Sequence, residues 1–126
     1  MDAIITRKLY ACPVLSPDSL ARGITSTWYH ESDTATYASG MTIEYFAEGL
    51  FTWGDGTISV KLPEGWNDYN GSDLLIYDED VTSGNKKTLL GKKYAYVTYQ
   101  FRTKNGMGNV KTHKVTVKVD TNGDPF

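Results

Sequence analysis

Apolar and polar residues alternate along most of this chain, and this period of two restricts its fold more than any other feature. From Met41 to Tyr45 the odd positions are apolar and the even ones polar, and Ile58, Val60 and Leu62 repeat the pattern. Successive side chains of a strand point to opposite faces, so each segment would bury one face and leave the other in water. Helical periodicity is nearly absent. The sequence therefore predicts an all-β protein of half-buried antiparallel strands.

Turn-forming residues divide the alternation into short segments. We predict strands over 3–10, 24–30, 34–47, 57–62, 73–77, 93–104 and 110–119, with a bulge or bend at Gly40 and at most one helical turn in 17–22. The predicted breaks are Cys12-Pro13, Glu31-Ser32-Asp33, Pro63-Glu64-Gly65 and Ser83-Gly84-Asn85. About seven or eight strands result. That number, with turns at short intervals, fits a sandwich better than a closed barrel.

The glycine turns predict which strands pair. Gly54-Asp55-Gly56 would join two neighbouring strands, and the last two long strands would pair across 105–108, where Asn-Gly suits a tight hairpin. Each of these two strands has one apolar face, made of Ala95, Val97, Tyr99 and Phe101 in the first and Val115, Val117 and Val119 in the second.

The length of the chain predicts a single domain over residues 1–126, because 14.0 kDa suffices for one core but not for two. No apolar run approaches the roughly 20 residues of a membrane-spanning helix, and the first residues do not resemble a secretory signal. The single cysteine, Cys12, cannot form an internal disulfide, and we predict it to be a small buried residue.

One segment carries a family resemblance. Residues 56–66 read Gly-Thr-Ile-Ser-Val-Lys-Leu-Pro-Glu-Gly-Trp, and the stretch 41–66 resembles immunoglobulin-like repeats of bacterial surface proteins. In those repeats a strand, a Gly-rich connection and a second strand close with Pro-x-Gly-Trp, and the pair 94–104 and 110–119 is similar to the end of such a repeat. The resemblance implies an immunoglobulin-like antiparallel β-sandwich for adhesion, spacing or decoration. Such folds also occur as decorations on phage particles.

Groups that could support catalysis are sparse. The two histidines, His30 and His113, lie on different predicted strands without a nucleophile elbow, and both read as ordinary strand or surface residues. We therefore predict that the protein is not an enzyme and uses no cofactor. The residues Asp120, Asn122 and Asp124 are similar to the opening of a calcium loop, but the acidic residue that closes such a loop is absent, so a polar terminus is the simpler interpretation.

Aromatic side chains are the candidates for binding. Exposed aromatic rings stack on sugars and anchor protein partners, whereas buried ones fill a core, and both interpretations are open for residues near strand ends. The candidates for an exposed platform are Trp28, Tyr29, Trp53, Trp66 and Tyr69.

Charge is distributed unevenly along the chain. Residues 1–80 carry 13 acidic and four basic residues, whereas Val81 to Val119 carries nine Lys and Arg and no acid. If these segments interleave in the fold, the charges pair or are solvated. If they segregate, the molecule has an acidic and a basic face, which would favour head-to-tail contacts or docking on a charged scaffold. The net charge of −2 and the lack of an RNA-recognition motif argue against nucleic acid as a partner.

Three functions from different classes follow. The first is a non-enzymatic structural or decoration protein of a surface assembly on a virion, with protein partners that include further copies of this chain. The second is an adhesive repeat of a bacterial cell-surface protein. The third is a carbohydrate-binding module for a cell-surface glycan, which predicts two or three coplanar exposed aromatic rings on one sheet face. None of the three involves a membrane partner.

Overall fold

The computed structural model describes residues 4–14, 23–37 and 39–126, and these form seven antiparallel strands and no helix. No helix that could span a membrane occurs among them. The predicted helical turn in 17–22 lies outside the described residues. The strands are β1 (Ile4–Val14), β2 (Thr25–Thr36), β3 (Thr42–Gly54), β4 (Thr57–Asn70), β5 (Leu75–Lys87), β6 (Lys93–Lys104) and β7 (Val110–Asp120).

The strands form two sheets, which confirms the predicted all-β sandwich. The first sheet has the order β1-β2-β3-β4 and the second the order β5-β6-β7, so neighbours along the chain are neighbours in space. An immunoglobulin domain distributes consecutive strands over both sheets by Greek-key connections, whereas here the chain completes one sheet before it begins the other. The immunoglobulin-like label therefore stays a prediction of the sequence resemblance.

The core lies between the sheets, where the odd-numbered positions of β2, β3, β6 and β7 meet. The predicted apolar faces of β6 and β7 are buried there, and the two strands pair across the glycine turn from Lys104 to Val110 as expected. The buried apolar residues are Tyr29, Ala35, Tyr37, Ile43, Tyr45, Ala47, Phe51, Ile58, Ala95, Val97, Tyr99, Phe101, Val115, Val117 and Val119.

The predicted turn at Glu31-Ser32-Asp33 is wrong, because these residues lie inside β2. The Glu31 side chain points to the interior, where it is buried and accepts a hydrogen bond from Nε of Arg7 on the adjacent strand β1. Burial, followed by the nearby Glu31 carboxylate, raises the pKa of Asp33. The local sequence of these three polar residues indicates a turn, but in the structure they pair with residues of β3.

The predicted end of a strand at Pro63-Glu64-Gly65 is also wrong, since β4 continues to Asn70. The pairing of β3 with β4 shifts around Gly49, so that Leu62 and Pro63 form an irregularity opposite that residue. Leu62 has a φ of 54° and its side chain is 60% exposed, although the alternation predicts it inside. The irregularity changes the register, and Gly65 then faces the core.

Two further predicted breaks lie within strands. Ser83-Gly84-Asn85 belongs to β5, and the Asn85 side chain donates a hydrogen bond to the carbonyl of Ile58 at 2.7 Å. Cys12-Pro13 belongs to β1, where an edge position allows a proline without loss of a ladder hydrogen bond. Cys12 is exposed rather than buried, because it lies opposite Trp28 on the side of the first sheet that faces away from the core.

Two glycine positions have clear backbone roles. Gly40, with a φ of 88°, lies in the tight connection between β2 and β3 rather than in a bulge, and its amide donates to the carbonyl of Tyr37. Gly54-Asp55-Gly56 joins β3 to β4 as predicted, with Gly54 paired to Thr57.

A polar network ties the two sheets together beside the core. The Tyr99 hydroxyl donates to Oε1 of Glu79 at 2.6 Å, and the side-chain amide of Asn67 donates to the Tyr99 hydroxyl at 2.8 Å. Burial, followed by the bond to Glu79, raises the pKa of Tyr99 to about 12. The network fixes the Tyr99 ring between β4 and β5.

Candidate functional site

The outer side of the first sheet carries a contiguous group of aromatic side chains. Because directly opposite residues share a face, the register aligns Tyr10 of β1 with His30 of β2, and Phe46 of β3 with Trp66 of β4. Trp28 lies two residues from His30 on the same side of β2. We call Tyr10, Trp28, His30, Phe46 and Trp66 the aromatic face.

Four of the five rings of the aromatic face, all but that of Trp28, pack on one another. His30 is the centre, with its ring centroid 5.5 Å from that of Tyr10, 4.9 Å from Phe46 and 5.4 Å from Trp66, each in an edge-to-face arrangement. Phe46 and Trp66 stack at 4.8 Å with an interplanar angle of 12°. Such pairs contribute about 0.5–1.5 kcal/mol each beyond area burial, so the cluster is held in one shape before any partner arrives. Tyr10 and Trp66 nevertheless remain 54% and 37% exposed.

A shallow depression and a close contact between His30 and Glu48 complete this surface. Nδ1 of His30 lies 3.7 Å from Oε1 of Glu48, the neighbouring outward residue of β3. The depression has a volume of about 330 Å³ and lies between Tyr10, Cys12, Trp28 and Glu48. It therefore offers an indole beside a carboxylate and an imidazole.

The five aromatic residues selected from the sequence divide between the two sides of the first sheet. Trp28 and Trp66 belong to the aromatic face. Tyr29 and Trp53 face the interior, where Tyr29 is buried and donates a hydrogen bond from its hydroxyl to the carbonyl of Gly123 at 2.7 Å. Tyr69 also faces inward, and its hydroxyl accepts hydrogen bonds from the amides of Asp73 and Leu74. Core packing and hydrogen bonds to the backbone therefore explain Tyr29, Trp53 and Tyr69 without a binding role.

Three members of the face, Tyr10, His30 and Phe46, were not expected from the sequence. The available signal was the broken alternation at Phe46, an apolar residue at an even position of β3 whose other even neighbours, Glu44 and Glu48, are charged. An apolar side chain at an outward position indicates a contact surface when its cross-strand neighbours are also aromatic.

The uneven charge segregates by sheet only in part, because Asp78, Glu79 and Asp80 of the acidic segment lie on β5 of the second sheet. On the outer side of the first sheet, acidic residues flank the aromatic face, namely Glu44, Glu48, Glu64 and Asp68 against Lys8 and Lys61. The outer side of the second sheet is mainly basic, with Lys86, Arg102, Lys104, Lys114 and Lys118 against Asp80. Arg102 lies 3.6 Å from a carboxylate oxygen of Asp78, and Lys86 lies over the ring of Tyr96 at 4.7 Å.

The residues similar to a calcium loop form the turn after β7. Oδ1 of Asp120 accepts hydrogen bonds from the amides of Asn122 and Asp124, and Oδ2 lies 3.3 Å from Nζ of Lys92. Burial opposes ionisation of Asp120, but the two backbone bonds and Lys92 outweigh it and lower its pKa. The Asp120 carboxylate thus closes the turn. Across the ranges that the structure describes, no group of three His, Cys, Asp or Glu side chains is placed to hold a metal ion.

The two histidines lie in different environments. His113 is buried in the core, stacked on Phe101 at 5.1 Å, with Nε2 3.4 Å from the hydroxyl of Tyr37. Burial, followed by the charge of Lys111, lowers the pKa of His113 to about 4. His30 lies on the aromatic face. The structure therefore does not bring the two imidazoles together.

Comparison with known proteins finds no matching family model, no similar curated protein and no similar solved structure.

Proposed function

We propose that this domain is a non-enzymatic contact domain that binds a protein partner through its aromatic face. The observation that supports the proposal is a contiguous group of five aromatic side chains, spread over all four strands, on the side of the first sheet that the core does not use. Contiguous apolar patches on a protein surface mark interaction sites, and aromatic residues dominate the energy of such contacts.

The ring geometry favours a protein over a sugar. A sugar stacks on an open ring face. Three of the four ring pairs here are edge-to-face, and in the fourth pair the rings of Phe46 and Trp66 stack on each other. The faces of Phe46 and His30 are therefore largely covered by their neighbours. A protein partner can instead contact ring edges and exclude water from the whole patch.

The charges around the face favour a partner with a basic rim. Four acids and two lysines surround the aromatic residues, so a basic surface would approach faster and bind with lower affinity at high salt.

Photo-crosslinking tests the proposal. With p-benzoylphenylalanine in place of Lys8, beside the face, we expect the domain to cross-link a defined protein in its native cells. With the same residue at Leu89, exposed in the connection between β5 and β6, we expect no such product. The purified partner should then bind Phe46→Ser and Trp66→Ser variants at least about tenfold more weakly, which is about 1.4 kcal/mol each. Tyr96→Ser, on the other outer face, is the matched control and should bind normally. Unchanged affinity of both face variants would refute the proposal.

A second candidate is saccharide binding in the depression between Trp28 and Glu48. An indole beside a carboxylate is a combination that stacks on and hydrogen-bonds to a sugar. A saturable change in tryptophan fluorescence with a polysaccharide panel, abolished by Trp28→Ala and retained by Phe46→Ser, would favour this function over the first. A place on a virion or on a bacterial cell surface stays a prediction of the sequence resemblance and would use the same face.

A further inference from the structure

The two sheets differ in width, and the difference leaves β1 uncovered. β7, the last strand of the second sheet, packs against β2 and β3, so none of the seven strands lies over β1. Ile5 and Leu9 point to the sandwich interior, because they lie opposite the inward residues Ala35 and Glu31. They are nevertheless 48% and 44% exposed. In a sandwich with sheets of equal width, a strand of the second sheet would cover them.

A cleft takes the place of that strand. It has a volume of about 350 Å³, with Leu9 of β1 on one side and Val117 of β7 on the other. The ion pair of Arg7 with Glu31 and the residues Lys118, Pro125 and Phe126 complete its lining. The cleft is therefore apolar at both long sides, with a neutralised charge pair between them.

The edge of β7 toward this cleft is open along most of its length. The amide of Phe126 donates to the carbonyl of Lys118 at 3.1 Å, and Pro125 bridges Val119 antiparallel, so two residues of an added strand are already present. Backbone groups of alternate residues point to the same side of a strand, so those of Thr112, Lys114 and Thr116 point the same way as those of Lys118. Within 4–14, 23–37 and 39–126, no strand pairs with these three residues on that side.

The side chains around this edge determine which amino-acid pattern an added strand should have. An added strand would direct one set of side chains toward Ile5 and Leu9, and these side chains should be apolar. Its other set would lie beside Lys114 and Lys118 on the outer side of β7, where acidic residues form favourable cross-strand pairs. A sequence that alternates apolar and acidic residues satisfies both requirements.

We propose that the cleft between β1 and β7 binds an extended segment of another protein, with alternating apolar and acidic residues. The segment adds to β7 antiparallel, in the register that Pro125 and Phe126 begin, and its apolar side chains cover Ile5 and Leu9. Main-chain hydrogen bonds to Thr112, Lys114 and Thr116 supply affinity, and the two lysines select acidic sequences. This site lies at the sheet edge and is separate from the aromatic face.

The probe is a capped eight-residue peptide of alternating Val and Glu, compared with one of alternating Val and Lys. We expect the Val/Glu peptide to slow hydrogen exchange of the Thr112, Lys114 and Thr116 amides in two-dimensional NMR spectra. The Val/Lys peptide should bind at least about tenfold more weakly. Absence of protection at saturating Val/Glu peptide, or equal binding of both peptides, would overturn the proposal.

Three variants test whether the peptide binds in the cleft. Lys114→Pro removes one outward amide at an edge that tolerates proline. Leu9→Asp removes an apolar contact and places a negative charge beside the acidic peptide. Each should weaken Val/Glu binding at least about tenfold. Phe46→Ser, which disables only the aromatic face, should bind the peptide normally. If the same amides are protected without peptide and sedimentation shows an oligomer, a second copy fills the cleft and the assignment to another protein is wrong.

Discussion

Replacement of Gly65 by alanine is expected to lower the free energy of unfolding by about 3 kcal/mol, a typical cost of overpacking a core. A Cβ at position 65 would lie 2.5 Å from Cβ of Tyr99 and 2.6 Å from Cγ and Cδ1 of the same residue. Tyr99 cannot withdraw, because it is 1% exposed and its hydroxyl is bonded to Glu79 and Asn67. Urea denaturation followed by tryptophan fluorescence measures the loss.

Gly84→Ala is the matched control, because it is also a glycine inside a strand. A Cβ there would meet only the ring of Tyr96, at 3.5 Å or more, which is ordinary van der Waals contact. We expect a change within about 0.5 kcal/mol, since alanine also restricts the unfolded chain more than glycine does. If the two variants lost equal stability, the close approach of Gly65 to Tyr99 would not be the cause.

Acidification from pH 7 to pH 4 is expected to remove about 3 kcal/mol of stability through His113 alone, with about 2 kcal/mol already lost at pH 5. The folded pKa of His113 is about 4, against 6.5 for an unperturbed histidine. As the pH falls below 6.5 the unfolded chain therefore binds a proton that the folded protein does not. The native state is thus favoured at neutral pH and loses this advantage as the pH falls toward 4. Denaturant titrations at pH 7, 6 and 5 measure the slope before most carboxylates titrate.

Two variants isolate the histidine. His113→Phe keeps a ring against Phe101 and Tyr45, and His113→Gln keeps a polar group near Tyr37, so the two should differ in stability at pH 7. In both variants the free energy of unfolding should fall much less between pH 7 and pH 5 than in the native chain, because neither side chain titrates. A decrease in both variants as large as in the native chain would assign the pH dependence to other groups.

The segment that carries the family resemblance shows which structural features the local sequence predicts correctly and which it does not. The alternation predicts Ile58 and Val60 inside, and both pack with the core. It places Leu62 inside as well and ends the strand at Pro63, and both predictions are wrong because pairing with β3 shifts around Gly49. The glycine of Pro-Glu-Gly-Trp has a packing reason in this chain, since Gly65 lies against Tyr99 of the opposite sheet.

The candidate site was predictable only in part. Trp28 and Trp66 were selected from the sequence and lie on the aromatic face, but Tyr29, Trp53 and Tyr69 face the interior. The face of an aromatic side chain depends on strand register, and in β2 a predicted turn concealed that register. The pairing of Tyr10 with His30 follows once β2 extends through Glu31-Ser32-Asp33. The pairing of Phe46 with Trp66 needs β4 to continue past Pro63-Glu64-Gly65 with its register shifted around Gly49.

The sequence by itself determined the fold class, the apolar faces of β6 and β7, and the glycine connections after β3 and β6, because alternation and turn chemistry are local properties. Only the tertiary structure decided where polar segments continue a strand, because residues such as Glu31 and Asn85 find their hydrogen-bond partners, Arg7 and Ile58, far away in sequence. It also decided that basic residues predominate on the second sheet although Asp78, Glu79 and Asp80 lie there, that aromatic rings gather outside the first sheet, and that β1 lies uncovered beside the open edge of β7. Each of these depends on which strands pair and how the two sheets overlap.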